Sequence, residues 1–446
     1  MALKALDIFK LLPKTNCKKC GCPTCLAFAM KLAQKQASLD QCPDVSEKSK
    51  AELEGASAPP IRLVTIGVGP GKLEVGNETV MFRHEETFHH PPGIGVLVSD
   101  ALDAAGLQAR IDAIRKLKFT RVGTELHANV VGVVNASGKS EPFAKAVQAV
   151  ATLGLPMVLM SSQAAHLDTV LASCADKKPL IHAATDTTID AFIALAKARN
   201  CPLAITAPDI DKLVPLVEKA RGAGIQDIVL DVTAATLPAT LQALTAVRRL
   251  ALKKSMRVLG YPCLVTSRSA DALANVAESS MFVAKYAGIV LTELDHAEHL
   301  MPMLTVSQNL YTDPRKPIQV EPKLYAVGAV TPDSPILITT NFSLTYYTVQ
   351  GEVESSRVPA YIAVLDTEGT SVLTAFASDK LTSEKIAAFL NSDAVKSKVN
   401  HRKVIIPGYI AVMSGSLKDD SGWTVLVGPR EASGISKFLK TTWANA

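Results

Sequence analysis

The sequence predicts an α/β protein of several domains: a small helical module, a (β/α)8 TIM barrel, and a C-terminal doubly wound α/β domain. Three observations predict this order. Five of the eight cysteines fall within the first 42 residues. Eight short apolar runs then alternate with helical stretches, which is the rhythm of a (β/α)8 barrel. After a proline-rich stretch near residues 310–330, a shorter alternation of strands and helices begins.

Length and composition exclude some classes of function. A chain of 446 residues is long enough for about two to four domains. Hydrophobic residues make up 48% and charged residues 20% of the chain, which is a globular composition. The net charge of +5 is mild and no basic stripe carries interleaved aromatic residues, so we expect no nucleic-acid partner. No apolar run approaches the roughly 18 residues of a membrane helix, and we see no leader, so we expect a cytoplasmic protein without a membrane partner.

Residues 1–57 are predicted to form a small helical module around an inorganic centre. Cys17, Cys20, Cys25 and Cys42 have the spacing C-x2-C-x4-C-x16-C. Three thiolates on one tight loop and a fourth from elsewhere can hold a [4Fe-4S] cluster. Structural zinc, the alternative, prefers two short Cys/His pairs, and disulfides need an oxidising compartment. Cys22 lies between two of these cysteines, and the spacing leaves a different choice of four open.

Residues 58–320 are predicted to form the barrel. A hairpin of Lys72–Val75 and Thr79–Arg83, with Gly76-Asn77 as its turn, precedes the barrel strands. The eight runs are apolar on both faces, and their number favours a barrel over an open doubly wound sheet. The predicted strands are Ile94–Val98, Val130–Val134, Pro156–Met160, Pro179–His182, Pro202–Thr206, Asp227–Val232, Arg257–Tyr261 and Ile289–Leu294.

Residues 321–446 are predicted to form a compact α/β domain that binds a cofactor. Its predicted strands are Ile336–Thr340, Tyr361–Leu365, Lys403–Ile406 and Thr424–Val427. Ligands of open α/β sheets dock beyond the carboxyl ends of the strands. The loops at that edge (340–343, 366–371, 407–409 and 428–434) are rich in Gly, Ser and Thr, so backbone amides and small hydroxyls can approach a large ligand closely. The alternative is that these glycines only end the strands.

The cysteine motif resembles that of a known family. The motif is Asn16-Cys-x-x-Cys20-Gly21-x-Pro-Thr-Cys25-Leu-Ala-Phe-Ala29, followed by Asp40-x-Cys42-Pro43. It resembles the iron–sulfur module of the large (gamma) subunit of the corrinoid iron–sulfur protein of the reductive acetyl-CoA (Wood–Ljungdahl) pathway. Membrane electron-transport subunits have a similar module, but the order of module, barrel and α/β domain resembles the corrinoid family over the whole chain. The resemblance implies that Cys17, Cys20, Cys25 and Cys42 bind the cluster and that Cys22 does not.

The resemblance implies a methyl-transferring corrinoid carrier subunit. A cobamide would be held between the C-terminal domain and a smaller partner subunit of a heterodimer. Co(I) would take a methyl group from methyltetrahydrofolate, presented by a separate methyltetrahydrofolate:corrinoid methyltransferase. The methyl group would then pass to the nickel cluster of carbon monoxide dehydrogenase/acetyl-CoA synthase, and the [4Fe-4S] cluster would return Co(II) to Co(I). The alternatives are an iron–sulfur electron-transfer subunit and a pterin-dependent barrel methyltransferase.

The expected cobamide has no histidine below its cobalt. Many cobalamin-binding domains carry Asp-x-His-x-x-Gly, whose histidine binds cobalt, but Asp366-Thr367-Glu368-Gly369 has Glu368 in that place. The only histidine of the domain is His401, which we expect at the amino end of a strand. A base-off cobamide without a nitrogen below cobalt is easier to reduce. The residues expected to contact the cobamide are Thr340, Thr345, Tyr346, Thr370, Ser371, Val372, Leu373, Gly408, Met413, Gly415 and Gly434.

Overall fold

The computed structural model describes residues 5–33, 37–46, 49, 59–313 and 317–445. The chain divides into two compact units. The first contains Met1–Phe119 and Leu126–Tyr311, and the second contains Thr120–Glu125 and Thr312–Ala446. The predicted boundary between residues 57 and 58 lies outside the described residues, and so does Pro314 of the proline-rich stretch.

Helices and strands alternate through most of the described chain. The helices are α1 (Ala5–Leu11), α2 (Cys25–Ala33), α3 (Ala104–Lys116), α4 (Ser140–Ala151), α5 (Ala164–Cys174), α6 (Ile189–Arg199), α7 (Ile210–Gly222), α8 (Leu237–Lys253), α9 (Ala272–Ala284), α10 (Ala297–Leu310), α11 (Ser343–Ser356), α12 (Val372–Ala377), α13 (Ser383–Leu390), α14 (Asp393–Lys396), α15 (Ser414–Ser421) and α16 (Ile435–Thr441). The strands are β1 (Val64–Ile66), β2 (Leu73–Val75), β3 (Gly93–Ser99), β4 (Lys118–Arg121), β5 (Thr124–His127), β6 (Val130–Val134), β7 (Met157–Met160), β8 (Leu180–Ala184), β9 (Leu203–Thr206), β10 (Ile228–Asp231), β11 (Cys263–Thr266), β12 (Ala287–Thr292), β13 (Leu324–Val327), β14 (Ile336–Thr340), β15 (Ala360–Leu365), β16 (Lys403–Ile406) and β17 (Thr424–Val427). No helix among the described residues has both the length and the apolar character to cross a membrane.

The first unit contains a closed barrel of parallel strands, which confirms the prediction from the eight apolar runs. The strands β3 and β6–β12 follow chain order around the barrel, and β12 closes it against β3 through the pair Val290↔Ile94. A Cβ atom at Gly95 would lie 2.4 Å from the carbonyl oxygen of Val130, so the close pairing of β3 with β6 requires glycine there. The strands are apolar on both faces because one face fills the barrel and the other packs on the helices.

A two-stranded ribbon precedes the barrel, but its pairing differs from the predicted hairpin. β2 pairs with β1, through Val64↔Val75 and Ile66↔Leu73, and these four side chains are buried in one cluster with inward residues of the barrel. The prediction of a second strand at Thr79–Arg83 is wrong.

Side chains explain why residues 79–83 form no strand. Arg248 donates to the carbonyl oxygen of Val80 from Nε at 3.1 Å. The carboxylate of Glu85 accepts the N–H groups of Met81 and Phe82, both at 3.1 Å. The backbone of this segment is therefore satisfied by side chains, and it does not need a ladder of strand hydrogen bonds.

The seventh barrel strand lies further along the chain than predicted. Arg257–Leu259 forms a 3-10 turn, and β11 follows Pro262 and pairs with β10 through Leu230↔Cys263. The turn packs closely against residues 60–62. The Arg62 N–H donates to the Gly260 carbonyl at 2.9 Å, and a Cβ on Gly260 would lie 2.2 Å from the Pro60 carbonyl oxygen. The apolar residues of this stretch therefore serve a turn rather than a strand.

The second unit contains a five-stranded sheet of the order β13-β15-β14-β16-β17. β13 is an antiparallel edge strand that the sequence pattern did not reveal, and the other strands are parallel. Residues of α11 and α16 pack on one face of the sheet, and residues of α12–α15 pack on the other. The chain therefore forms the doubly wound sheet that the sequence predicts. Its strand order reverses beside β14, and the carboxyl ends of β14 and β16 border the cleft where such folds bind ligands.

Candidate functional site

Five cysteines lie close together in the N-terminal module. Cys17, Cys20 and Cys22 are on the loop that leads into α2, Cys25 is the first residue of that helix, and Cys42 follows a 3-10 turn at Leu39–Gln41. Cys22, Cys25 and Cys42 are buried in the apolar cluster of the module, Cys20 is half-buried and Cys17 is exposed. Thr24 starts α2, because its hydroxyl accepts the N–H of Ala27 at 3.1 Å.

The surroundings of Cys42 shift the pKa of its thiol upwards. Burial raises the pKa of the Cys42 thiol, the backbone N–H of Asp44 lowers it, and the thiolates of Cys20, Cys17 and Cys25 raise it again. Those three thiolates are the other predicted ligands, and Cys22 is not one of them. Among the described residues, no group of three or more His, Cys, Asp or Glu side chains is positioned to hold a metal ion as it stands. The choice of four ligands therefore stays a prediction.

The backbone of the cysteine loop fits an anionic inorganic cluster. Asn16, Lys18 and Gly21 have φ angles of 49°, 61° and 74°. Left-handed residues of this kind turn successive N–H groups into concave sites that bind anions. The Asn16 side chain accepts the N–H of Cys25 at 2.8 Å. Lys19 pairs with Asp44 at 2.9 Å, which ties the loop to the segment of Cys42.

A second candidate site lies in the second unit, at the carboxyl ends of β14, β16 and β17. A cavity of about 250 Å³ opens there. Its walls are mostly apolar and come from these strand ends and from α11, α12 and α16. They are Leu337, Ile338, Thr339, Thr345, Val349, Ser371, Val372, Leu373, Ile405, Ile406, Pro407, Tyr409, Gly428, Pro429, Arg430, Ala432, Ile435 and Phe438.

Three buried hydroxyl groups at this edge have no hydrogen-bond partner. They belong to Thr339 and Thr340, at the end of β14, and to Ser343, at the start of α11. All three residues are almost fully buried, at 0%, 0% and 1% exposed. A buried hydroxyl without a partner costs roughly 1–3 kcal/mol, so such groups are rare, and a bound ligand is one source of the missing bond.

Asn341 holds the neighbouring loop in place. Its amide oxygen accepts the N–H groups of Thr367 and Gly369 and the Thr367 hydroxyl, each at 3.0 Å. Its amide nitrogen donates to Asp366 at 3.0 Å and to Gln319 at 3.1 Å. A single side chain at the end of β14 therefore fixes the loop that leads from β15 into α12.

Comparison with known proteins identifies the family of this chain. The family model of the CO dehydrogenase/acetyl-CoA synthase delta subunit matches residues 63–439, and a model described as a putative Fe-S cluster matches residues 12–43. The corrinoid/iron-sulfur protein large subunit of Moorella thermoacetica is 45% identical over 446 residues, which are 100% of each chain. This chain belongs to the family of corrinoid/iron–sulfur protein large subunits. The acetyl-CoA decarbonylase/synthase complex subunit gamma of Methanothermobacter thermautotrophicus is 36% identical, over 98% of this chain and 99% of that one.

Some of the residues that were predicted to contact the cobamide lie at the cavity. Thr345, Ser371, Val372 and Leu373 line its wall. Thr340 ends β14 beside them. The hydroxyl of Thr370 donates to the Thr367 carbonyl at 2.7 Å, inside the loop that Asn341 fixes.

Two predicted glycines allow close approach of the chain at the cavity. A Cβ on Gly408 would lie 2.7 Å from the Gly428 carbonyl oxygen, and one on Gly434 would lie 2.7 Å from Pro429 Cβ. These glycines let the loops after β16 and β17 meet at the wall of the cavity.

Three predicted contact residues lie elsewhere. Tyr346 is buried on the sheet-facing side of α11, with its ring 4.7 Å from that of Tyr325, and burial raises the pKa of its hydroxyl to about 12. Met413 is buried in the apolar cluster on the other face of the sheet. Gly415 is exposed in the first turn of α15, with no atom near the place of a Cβ. The structure gives the first two of these residues a part in the apolar core.

The sequence analysis missed the part of the cavity wall that lies outside the loops, such as Val349 on α11 and Ile435 and Phe438 on α16. Tyr409 and Arg430, in the loops that it named, also line the cavity, and Tyr409 donates a short hydrogen bond to Glu431. The loops of residues 407–409 and 428–434 were recognised as part of the ligand-binding edge. Their apolar residues were the sequence feature that could have indicated an apolar cavity wall. Exposed large apolar side chains also surround this edge: Leu344, Leu373, Tyr409, Val412 and Val427.

The histidine of the domain lies where the sequence predicts. His401 precedes β16, its Nε2 lies 2.9 Å from the Ser334 carbonyl, and its Nδ1 accepts the Lys403 N–H at 3.1 Å. Both ring nitrogens are therefore engaged at the amino end of the sheet, opposite the cavity edge.

The barrel also has polar side chains at the carboxyl ends of its strands, and they bond to one another. Asp100 accepts from the Asn135 amide at 2.8 Å and from the Ser137 hydroxyl at 2.7 Å. His182 lies 2.8 Å from Asp231. Burial opposes ionisation of Asp231, but the hydrogen bond and charge of His182 hold the pKa of its carboxyl below the usual range. These carboxylates are committed to neighbours of the fold.

Proposed function

We propose that this chain is the cobamide-binding subunit of a methyl carrier. The methyl group would come from methyltetrahydrofolate through a separate methyltransferase and go to the nickel cluster of carbon monoxide dehydrogenase/acetyl-CoA synthase. A bound cobamide supplies the cobalt nucleophile for this transfer, and a [4Fe-4S] cluster supplies the electron that restores it. The proposed partners are those two enzymes and a smaller subunit in a heterodimer, and a cytoplasmic location stays a prediction.

The observation that carries the proposal is an apolar cavity whose wall contains the unpaired hydroxyl of Thr339, with the unpaired hydroxyls of Thr340 and Ser343 at the same strand end. Thr339, Thr340 and Ser343 offer donors and acceptors that the chain itself leaves unused. The cavity offers an apolar wall, and Leu373 in that wall is a large apolar side chain that is 49% exposed. A cobamide needs both features, since it joins a polar nucleotide tail to a corrin ring that carries apolar methyl groups as well as polar amide side chains.

The protein's own groups also favour a base-off cobamide. His401 is the only histidine of residues 321–446, and its ring is engaged at the opposite end of the sheet. Glu368 occupies the place of the histidine in related motifs, and its carboxylate pairs with Lys380 at 2.6 Å. The loop of Glu368 is held by Asn341. We infer that no imidazole from this domain binds cobalt, which keeps the metal easy to reduce.

The module is proposed to hold the cluster through Cys17, Cys20, Cys25 and Cys42. The effect of Cys17, Cys20 and Cys25 on the pKa of Cys42 and the left-handed backbone of the loop support this choice. Cys22 would keep its thiol in the apolar cluster of the module.

Cobamide titration tests the proposal with a matched pair of variants. Thr345 lines the cavity from α11, while Thr348 is exposed on the same helix. Thr345→Trp should fill the cavity and weaken binding of aquocobalamin at least about tenfold, because a filled pocket excludes its ligand. Thr348→Trp should bind as the natural chain does. Unchanged binding by Thr345→Trp, with unchanged thermal unfolding, would contradict the site, and absence of corrin binding by the natural chain with its smaller partner would leave the electron-transfer alternative.

A further inference from the structure

A large cavity lies at the amino end of the barrel strands, and its volume is about 860 Å³. Its walls come from residues 59–63, from the end of α7 and the loop after it, and from the 3-10 turn at Arg257–Leu259 with the residues that follow. The loop leads into β10 and the turn leads into β11. Barrel enzymes carry out their chemistry at the opposite, carboxyl end of the strands, so this cavity is a candidate for binding and not for catalysis.

Three arginines, Arg62, Arg221 and Arg257, line this arginine cavity. Arg257 donates from Nη1 to the Pro59 carbonyl at 2.8 Å, and Arg62 Nε lies 3.5 Å from Asp227 Oδ1. These contacts hold two of the guanidinium groups. Arg221 is exposed and has no hydrogen bond or ion pair in the part of the chain that the structure describes. One guanidinium group at the wall is therefore available.

Positive charge is in excess at the wall of the arginine cavity. Burial lowers the pKa of Arg257, and the charge of Arg221 lowers it further, so the two cations repel each other. Among the described residues that line the cavity, Glu218 is the single carboxylate. An anion between the guanidinium groups would relieve the repulsion and accept charge-assisted hydrogen bonds from them.

The position of Arg221 in the last turn of α7 does not require its side chain. A positive charge there interacts favourably with the helix dipole. The last carbonyl groups of the helix already have backbone donors, since the Lys219 carbonyl accepts from Ala223 at 3.0 Å and the Arg221 carbonyl accepts from Gly224 at 2.8 Å. The guanidinium group is thus not needed to complete the end of the helix.

Other residues of the wall fit an organic group attached to the anion. Leu63 and Ile225 contribute apolar side chains. Tyr261 also lines the cavity, is 7% exposed, and has a hydroxyl without a hydrogen-bond partner among the described residues. Cavities of roughly 300–1,000 Å³ hold small organic ligands, and inorganic phosphate alone would leave most of this one empty.

We propose that the arginine cavity binds a small organic phosphate of the nucleoside diphosphate class. The planar fork of a guanidinium group matches the oxygens of a phosphate, and an aromatic base would pack against Tyr261. Arg62 and Arg257 are held in advance, and Arg221 closes on the bound phosphate. The inference is independent of the proposed function, because neither the cluster nor the cobamide takes part in this binding.

Titration of the full chain with its cofactors by ADP, followed by calorimetry, tests the proposal. Arg221→Gln removes the available guanidinium group, and Arg249→Gln makes the same change at an exposed arginine of α8 that does not line the cavity. Arg221→Gln should bind ADP about tenfold or more weakly, and Arg249→Gln should bind it as the natural chain does. Arg221→Lys, which keeps the charge and loses the paired donors, should lie between them. Adenosine should bind much more weakly than ADP, and about 0.5 M salt should weaken ADP binding.

Several results would overturn the proposal. They are equal ADP affinity of Arg221→Gln and Arg249→Gln, no ADP binding by the natural chain up to about 10 mM, and adenosine binding as tight as that of ADP. Loss of ADP binding in Arg430→Gln, but not in Arg221→Gln, would place the nucleotide at the cavity of the second unit. Binding of hexaglutamate through Arg221, without binding of ADP, would assign the arginine cavity to an acidic partner protein.

Discussion

Replacing Thr339 by valine should affect the free and the loaded protein in opposite directions. The Thr339 hydroxyl is fully buried and has no partner within the chain. Valine keeps the shape of the side chain and removes the hydroxyl, so the free protein loses a desolvation cost of roughly 1–3 kcal/mol. We expect its free energy of unfolding to rise by about 1 kcal/mol. The loaded protein loses a hydrogen bond to the ligand, so cobamide affinity should fall about tenfold, which corresponds to about 1.4 kcal/mol.

The natural fluorescence of the chain gives a clean assay of this prediction. Both tryptophans, Trp423 and Trp443, lie in the second unit, so their emission reports its unfolding apart from the barrel. Urea unfolding followed by this emission measures stability, and a titration with aquocobalamin measures affinity.

Thr348→Val is the matched control for this test. Its hydroxyl is exposed and donates to the Leu344 carbonyl at 2.7 Å, so neither quantity should change by more than about 0.5 kcal/mol. A less stable Thr339→Val protein with unchanged cobamide affinity would refute the reasoning.

Three further predictions concern other groups. Asn341→Ala should lower stability of the second unit by about 2–4 kcal/mol, measured by tryptophan emission in urea, because two backbone N–H groups lose their acceptor. Cys42→Ala should lose cluster iron while Cys22→Ala keeps it, measured by iron analysis; the reverse pattern would exchange their roles. Burial raises the pKa of Glu78, although Arg248 opposes the shift. The ionised carboxylate therefore destabilises the folded protein at pH values above the pKa that Glu78 has in the folded state. This cost disappears as the pH falls towards 4.5. When the pH is lowered from 7 to 5, the unfolding temperature of Glu78→Gln should therefore fall more, or rise less, than that of the natural chain. Parallel pH profiles of the two proteins would contradict this.

The pattern of apolar runs was sufficient to predict the fold because the barrel strands and the inner strands of the second sheet are buried on both faces. Such strands read as continuous apolar segments, and β14, β16 and β17 have the bounds that the sequence predicts. The seventh barrel strand was misplaced because Val258 and Leu259 are as apolar as a strand, yet they are buried in a turn. The predicted pairing of β2 with residues 79–83 was wrong because a side chain distant in sequence, Arg248, donates to the backbone of that segment at the Val80 carbonyl. No local pattern carries information of that kind.

The candidate sites were only partly predictable. Cysteine spacing identifies the module, since ligand spacing on a tight loop is local in sequence. The cavity depends on three strand ends that are far apart in the chain, so loop composition located its edge but not its wall. Tyr346 was among the contacts expected from the family resemblance, yet its position on α11 directs the ring to Tyr325 on the sheet. The unpaired state of Thr339 is visible only when every neighbour is placed.

Cobalt, corrin and iron analysis of anaerobically purified protein, prepared together with its smaller partner, tests the central claim most directly. The account predicts one cobamide, seen by its absorbance with a base-off spectrum, and one iron–sulfur cluster in each chain. A preparation that holds iron but takes up no cobamide would contradict it.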